Sequence, residues 1–161
     1  MARVLIVGCG CRGLALAQAL SSEHAVRGTS RSPQRVAELE AAGVEGMVAD
    51  PDRLATIVPA LLGVSVVCWL MGTADGSPEV LGARLQTLVE HLVDTPVRGL
   101  VYEAAGTVDA PLLERGAQIV RVAAETWHIR GEVVGADPAV FEEWLGAMKE
   151  AVGRTLSELS T

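Results

Sequence analysis

Aromatic side chains are scarce in this chain, with three Trp, one Tyr and one Phe in 161 residues. Any core must therefore be aliphatic, and the material is present, since half of the residues are hydrophobic. The length is enough for one domain with a proper core. Lysine is scarcer still: Lys149 is the only one, and the formal net charge is −7. That balance excludes a basic, electrostatic nucleic-acid surface. Apolar runs fall well short of the length that spans a bilayer, so no membrane partner is expected. Three cysteines cannot all pair within the chain, which favours a reducing compartment. His24, His91 and His128 are scattered without ligand spacing, and no metal site is expected. Repeats, low-complexity segments and linkers are missing too, and residues 1–161 read as one domain. Met1 leads straight into an apolar run, which leaves no room for a signal peptide; the expected location is cytoplasmic.

What is present is concentrated at the start. Arg3-Val4-Leu5-Ile6-Val7 is short, apolar and β-branched; it breaks into Gly8-Cys9-Gly10-Cys11-Arg12-Gly13, and an apolar helical pattern follows. Strand, tight turn and helix with glycines at this spacing form the dinucleotide-binding fingerprint. Gly8 lets the chain turn off the strand, Gly10 admits a pyrophosphate to the backbone, and Gly13 brings the helix close to the sheet. Free N–H groups and the helix dipole would then face the diphosphate.

The rest of the chain alternates. Leu14 to Leu20 predicts a first helix, Ala25 to Thr29 a second strand, and Ser32-Pro33 a capped second helix ending at Gly43. A third strand is expected over Val44 to Ala49. Asp50-Pro51 then opens a third helix through Leu62, which Pro59 kinks or shortens. Val64 to Met71 reads as a central strand buried on both faces. Ser77-Pro78 opens a fourth helix, Val97 to Tyr102 forms a fifth strand, and Pro111 starts a fifth helix that runs towards Trp127. Ile129 to Val134 makes a sixth strand, with its boundary to the preceding helix unfixed, and Asp137-Pro138 opens the last helix. Such alternation implies an α/β fold, a doubly wound parallel sheet in three layers, with strand order 3-2-1-4-5-6. Ligands bind such sheets at the carboxyl ends of the strands, where the order reverses.

The segments after each strand therefore carry the chemistry. After the second strand, the position that holds Asp or Glu in domains selective for NAD is Ser30, followed by Arg31, with Arg35 a turn into the helix. A ribose 2′-phosphate wants a hydroxyl and an arginine fork and is repelled by a carboxylate. This makes NADP(H) the expected cofactor and NAD(H) the second choice. Arg12 either reaches a phosphate or points to solvent. Asp50 either accepts from an adenine amine or caps the helix at Pro51. Leu70-Met71-Gly72-Thr73-Ala74-Asp75-Gly76 is expected to bring Met71 and Gly72 close to the cofactor, with glycines that permit movement. Tyr102, Glu103 and Thr107 are the nearby proton donors at the nicotinamide end. Cys9 and Cys11 either form a reactive pair near a helix N-terminus or fill variable loop positions, and Cys11 and Arg12 are counted with the loop glycines among the expected cofactor contacts. Cys68 is expected to pack as a small apolar residue.

The combination of Gly8-x-Gly10-x-x-Gly13, Gly28-Thr29-Ser30-Arg31-Ser32 and Val48-Ala49-Asp50 resembles the NAD(P)-binding domain of the atypical and extended short-chain dehydrogenase/reductases, among them epimerase-like and NmrA-like proteins. The resemblance covers about the first 105 residues and rests on motifs shared by many Rossmann-type families. It implies pyrophosphate contacts at Gly8, Gly10 and Gly13, 2′-phosphate contacts at Ser30 and Arg31, and an adenine contact at Asp50. Active members pair a catalytic Tyr with a Lys four residues later; here Tyr102 is followed at that spacing by Gly106, and Lys149 is remote. The usual C-terminal substrate region has no counterpart in this length. Two readings follow: a minimal cofactor-binding module that senses or presents NADP(H), or an oxidoreductase or epimerase-like enzyme completed by a partner or a second copy. A homodimer is compatible with either.

Overall fold

The computed structural model describes residues 2–73 and 77–157. Six parallel strands form one sheet: β1 (Arg3–Val7), β2 (Ala25–Ser30), β3 (Glu45–Val48), β4 (Val66–Trp69), β5 (Gly99–Glu103) and β6 (Arg130–Val134). Their order is β3-β2-β1-β4-β5-β6, the doubly wound arrangement that the alternation predicts. The helices are α1 (Cys11–Leu20), α2 (Pro33–Ala41), α3 (Leu54–Ile57), α4 (Ala83–Leu92), α5 (Ala110–Trp127) and α6 (Phe141–Ser157).

β1 shows how one strand feeds both layers. Leu5 and Val7 enter a core shared with Leu85, Leu88 and Val120, whereas Val4 and Ile6 enter another with Leu16, Leu39 and Trp144. Successive strand side chains point to opposite faces, so a strand covered on both sides must be apolar throughout. All four of these β1 residues are fully buried. α1, α2 and α6 cover one face; α3, α4 and α5 cover the other. The switch point falls between β1 and β4, where the chain returns from edge strand β3 to the middle of the sheet and then builds outward to β6.

Three helix starts differ from the sequence expectation, and two share one cause. The Ser-Pro pairs stand directly before their first turn: Ser32 Oγ accepts from the Arg35 N–H, three residues on, at 3.2 Å ahead of α2, and Ser77 Oγ from the Glu79 N–H, two residues on, at 3.2 Å ahead of a 3-10 turn. The Asp-Pro pairs make Asx turns instead. Asp50 Oδ1 accepts from the Asp52 N–H and Asp137 Oδ1 from the Ala139 N–H, both at 2.9 Å. The helices consequently begin later, at Leu54 and Phe141. Asp50 is thus not the cap of a helix at Pro51. Pro59 does shorten the third helix: α3 ends at Ile57 and passes into a 3-10 turn, Val58–Leu61. The fourth helix is broken as well. A 3-10 turn (Pro78–Leu81) precedes α4, and the break is at Gly82, where a Cβ would stand 2.7 Å from the Arg115 Nη atoms.

Candidate functional site: the switch-point cleft

A cleft of about 250 Å³ opens at the carboxyl ends of β1 to β4, just below the usual range of ligand-pocket sizes. Its floor is the loop between β1 and α1. The three fingerprint glycines differ in what holds them there. Gly8 sits at φ +84°, a left-handed conformation that favours glycine, and a Cβ would lie 2.6 Å from the Leu70 carbonyl oxygen. At Gly13, a Cβ would meet Cys9 Sγ at 3.1 Å and the Gly8 carbonyl oxygen at 3.4 Å. Both are required by packing. Gly10 is different: its φ is −88°, and a Cβ there would meet no atom within 4 Å. Nothing inside the protein demands glycine at Gly10, yet it stands at the N-cap of α1, on the cleft wall, with no side-chain cap to satisfy the helix. Open space before an uncapped helix N-terminus is what an anionic diphosphate needs.

The wall beside it comes from β2 and β3. Ser30, Arg31, Arg35 and Asp50 all line the cleft. Ser30 Oγ accepts from the Ser32 N–H at 3.2 Å, a turn that presents the following Arg31 outward. Arg31 is exposed and makes no hydrogen bond or ion pair among the described residues. Arg35 is already engaged, donating to Glu38 Oε2 at 2.9 Å and lying 3.7 Å from Cys11 Sγ. Thr29, unremarked in the sequence, is fully buried at the end of β2, lines the cleft, and its Oγ1 has no partner. Buried hydroxyls are nearly always paired, so a ligand hydroxyl or phosphate oxygen is the natural completion. Asp52, also missed, lines the cleft two residues beyond Asp50 and accepts from Arg84 Nε at 3.0 Å.

Of the two courses open to Arg12 from the sequence, the structure does not show the one into solvent. Its side chain turns across the loop to Glu103 at the end of β5, donating Nη2 to both carboxylate oxygens at 2.8 Å and Nη1 to Thr73 Oγ1 at 2.9 Å. The guanidinium also lies over the Trp144 ring, 5.3 Å from its centre. Glu103 is fully buried and accepts further from the Gly72 N–H and the Trp144 indole N–H, both at 2.8 Å. Each oxygen thus receives two donors. Arg12 still borders the cleft, but as a wall fixed by a buried carboxylate.

The other sequence candidates divide. Met71 lines the cleft, whereas Gly72 is buried against the chain after β5 and Cys11 is exposed beside Arg35; neither is part of the cleft lining. Tyr102 is buried under α5, its hydroxyl donates to the Leu113 carbonyl at 2.9 Å, and burial pushes the phenol well above its ordinary range. It faces no ligand. Glu103 is likewise enclosed, which leaves exposed Thr107 of the three. Cys9 is a packing residue lodged between Gly13 and Gly28, its pKa pushed up to about 12 by burial. Cys68 is fully buried in β4 and raised to about 12 by the same cause. Both are free thiols. Of the β4 loop, Ala74, Asp75 and Gly76 lie outside the described residues.

A doubly wound sheet with a glycine-lined cleft at its switch point defines a Rossmann-type nucleotide-binding domain. The chain belongs to the NAD(P)H-binding family, whose model matches residues 10–134. No curated protein matches. Among solved structures, it is similar to a triphenylmethane reductase from Citrobacter sp. complexed with NADP(H), at 19% identity and TM-score 0.64, covering 81% of this chain and 48% of that one. It is also similar to a UDP-glucuronic acid 4-epimerase from Bacillus cereus, at 17% identity and TM-score 0.63, covering 81% and 55%. A protein from Corynebacterium glutamicum described as a short-chain dehydrogenase/reductase is matched over 93% of this chain and 91% of its own, at 16% identity and TM-score 0.65. At these identities the likeness is one of fold. The chain spans about half the length of the epimerase and reductase chains.

Proposed function

We propose that this chain is a cofactor-binding module that prefers NADP(H) to NAD(H) and senses or presents it without the Tyr–Lys proton transfer of short-chain dehydrogenases. When bound, the nicotinamide cofactor would supply hydride chemistry; the residues named here bind and orient it. The diphosphate would lie against Gly10 and the N-terminus of α1, and the adenine against Asp50. The 2′-phosphate would meet Ser30 and Arg31, with Arg35 flanking. The observation that carries the preference is Arg31 on the cleft wall, a guanidinium with no partner among the described residues, next to Ser30 where a carboxylate would select the free ribose. Dissociation constants for NADPH and NADH test it: the expected ratio favours NADPH at least about tenfold, and equal affinities would defeat it.

The length shared with the reductase and epimerase supports a second reading, an oxidoreductase or epimerase-like enzyme whose substrate site is completed by another chain. Turnover of a carbonyl panel with NADPH, lost in both Tyr102→Phe and Lys149→Met, would favour that reading and overturn the absence of Tyr–Lys catalysis.

A further inference from the structure

Dinucleotides on doubly wound sheets lie across the switch point, one nucleotide over each half of the sheet. The two halves are not equally open here. Among the described residues, the cleft lining comes from the ends of β1, β2, β3 and β4 and from Ser77 and Val80; none comes from β5, β6, α6 or residues 103–109. Over that second half the chain roofs its own strand ends. The loop after β4 and the loop after β5 are pressed together, so a Cβ on Gly72 would stand 2.9 Å from Glu103 Oε1 and one on Gly106 would stand 3.0 Å from the Gly72 Cα. The Val108 N–H donates to the Gly72 carbonyl at 3.0 Å, sealing the seam. Beneath it the Arg12–Glu103 pair and Trp144 fill the remaining depth.

We propose that the cleft seats the 2′-phospho-ADP portion of its ligand and leaves the nicotinamide end outside, so that its ligand class is the 2′-phosphoadenosine nucleotides as a group. The inference rests on the reading of this cleft as the NADP(H) site. Opening the second half would require Arg12 or the Gly72 N–H to leave Glu103, stranding a fully buried carboxylate. Arg12 therefore stays with Glu103 rather than moving to the diphosphate, and the site keeps its one-nucleotide size. A module built this way registers the adenosine end of NADP(H) and is indifferent to the redox state of the ring.

The test compares ligands on the full chain. Isothermal titration is run with NADP+, with 2′-phospho-ADP-ribose, which is NADP+ without its nicotinamide, and with nicotinamide mononucleotide. Saturation-transfer NMR on NADP+ runs alongside. Expected are dissociation constants for the first two within fivefold, no detectable binding of the mononucleotide, and saturation of adenine protons well above that of nicotinamide protons. NADP+ binding more than fivefold more tightly than 2′-phospho-ADP-ribose, or nicotinamide protons saturated as strongly as adenine protons, would overturn the inference and leave the reading of the site intact. Failure of both adenosine ligands to bind would overturn that reading and the inference with it.

Discussion

The two halves of the strand ends solve opposite problems with the same kinds of residue. Over β1, β2 and β3, among the described residues, Thr29 Oγ1 is buried without a partner, exposed Arg31 has none, and Gly10 faces open space. Over β4 and β5, a buried carboxylate takes four hydrogen bonds from Arg12, Gly72 and Trp144, and among the described residues only Arg12 Nε beside it is buried without a partner. A buried hydroxyl without a partner costs stability, so Thr29 in the incomplete half supports the ligand position proposed above. The complete half marks where the fold is held. Arg12 belongs to the second although it stands in the middle of the first.

The largest effect expected from this contrast is on stability, not binding. Arg12→Met removes the charge partner of a carboxylate that is fully buried, and breaking a buried pair from one side costs about 3–5 kcal/mol. The Arg12 side chain is 26% exposed, so water can partly replace it and the lower end, about 3 kcal/mol, is expected. Urea unfolding of wild type and Arg12→Met measures it. The double variant Arg12→Met, Glu103→Gln removes both charges and should recover at least half of the loss. A single variant as stable as wild type would show that the closed half is not held by this pair.

Next in size is the comparison among the glycines. Gly10→Leu should weaken NADP(H) binding by at least about 100-fold, roughly 2.7 kcal/mol, because the side chain would project into the open space proposed above for the diphosphate. Its unfolding free energy should fall by no more than about 1 kcal/mol, the cost of replacing a favoured N-cap glycine. Gly13→Ala should do the reverse and destabilise by about 1–3 kcal/mol, since its Cβ enters the contact with Cys9 Sγ and the Gly8 carbonyl. Calorimetric affinity and urea midpoints on the two variants separate a ligand-facing glycine from a packing one. Unchanged affinity in folded Gly10→Leu would place the nucleotide elsewhere.

The third effect, about tenfold in a ratio, concerns the open wall. Ser30→Asp with Arg31→Ala should invert the order of NADPH and NADH, restoring an acceptor for the free ribose and removing the phosphate partner. Because Arg31 is exposed, the wild-type preference should shrink as salt rises. A ratio unmoved by the double change would make Arg31 a solvated surface charge.

The sequence made the open half legible and the closed half nearly invisible. Strand order, the glycine loop, and Ser30 and Arg31 at the end of β2 all follow from local patterns: period, punctuation and one substituted acidic position. The Ser-Pro caps were legible for the same reason. The Asp-Pro starts were misread because an Asp carboxylate can close an Asx turn on the N–H two residues on, and sequence does not distinguish that from capping. Glu103 was read as a proton donor because it ends a strand near the cofactor. Its actual role depends on Arg12, 91 residues away, and on α6 bringing Trp144 across the same strand end. A carboxylate directly following the apolar run Leu100-Val101-Tyr102 was the available signal, since such a residue needs a buried partner. Thr29 was silent for a different cause: a threonine in a strand is ordinary, and only its missing partner distinguishes it.

The smallest effect uses the thiols, which sample the two environments in one molecule. Cys11 is exposed at the rim of the open half, while Cys9 lies beneath the glycine loop and Cys68 within β4, both buried and both with pKa pushed up to about 12. A reagent specific for thiolates should label one cysteine per native chain at pH 8, and mass mapping should place it at Cys11. The same shift carries a pH dependence. For a thiol whose folded pKa lies above its unfolded value of 9.0, the unfolded state loses its proton first as pH rises. The native state then binds more protons than the unfolded one, and stability falls with pH. Below pH 8 the two buried thiols should contribute no slope; by pH 9 they should together cost about 1 kcal/mol, and the loss should steepen towards pH 12. The buried Tyr102 phenol adds to it in the same direction above its ordinary value of 10.0. Urea unfolding at pH 7, 8 and 9 on wild type and on Cys68→Ala checks the assignment, because the variant should lose about half of the change between pH 8 and 9. Rapid labelling of Cys9 in the native chain would mean that the glycine loop opens, and the rigid floor on which the open half depends would have to be abandoned.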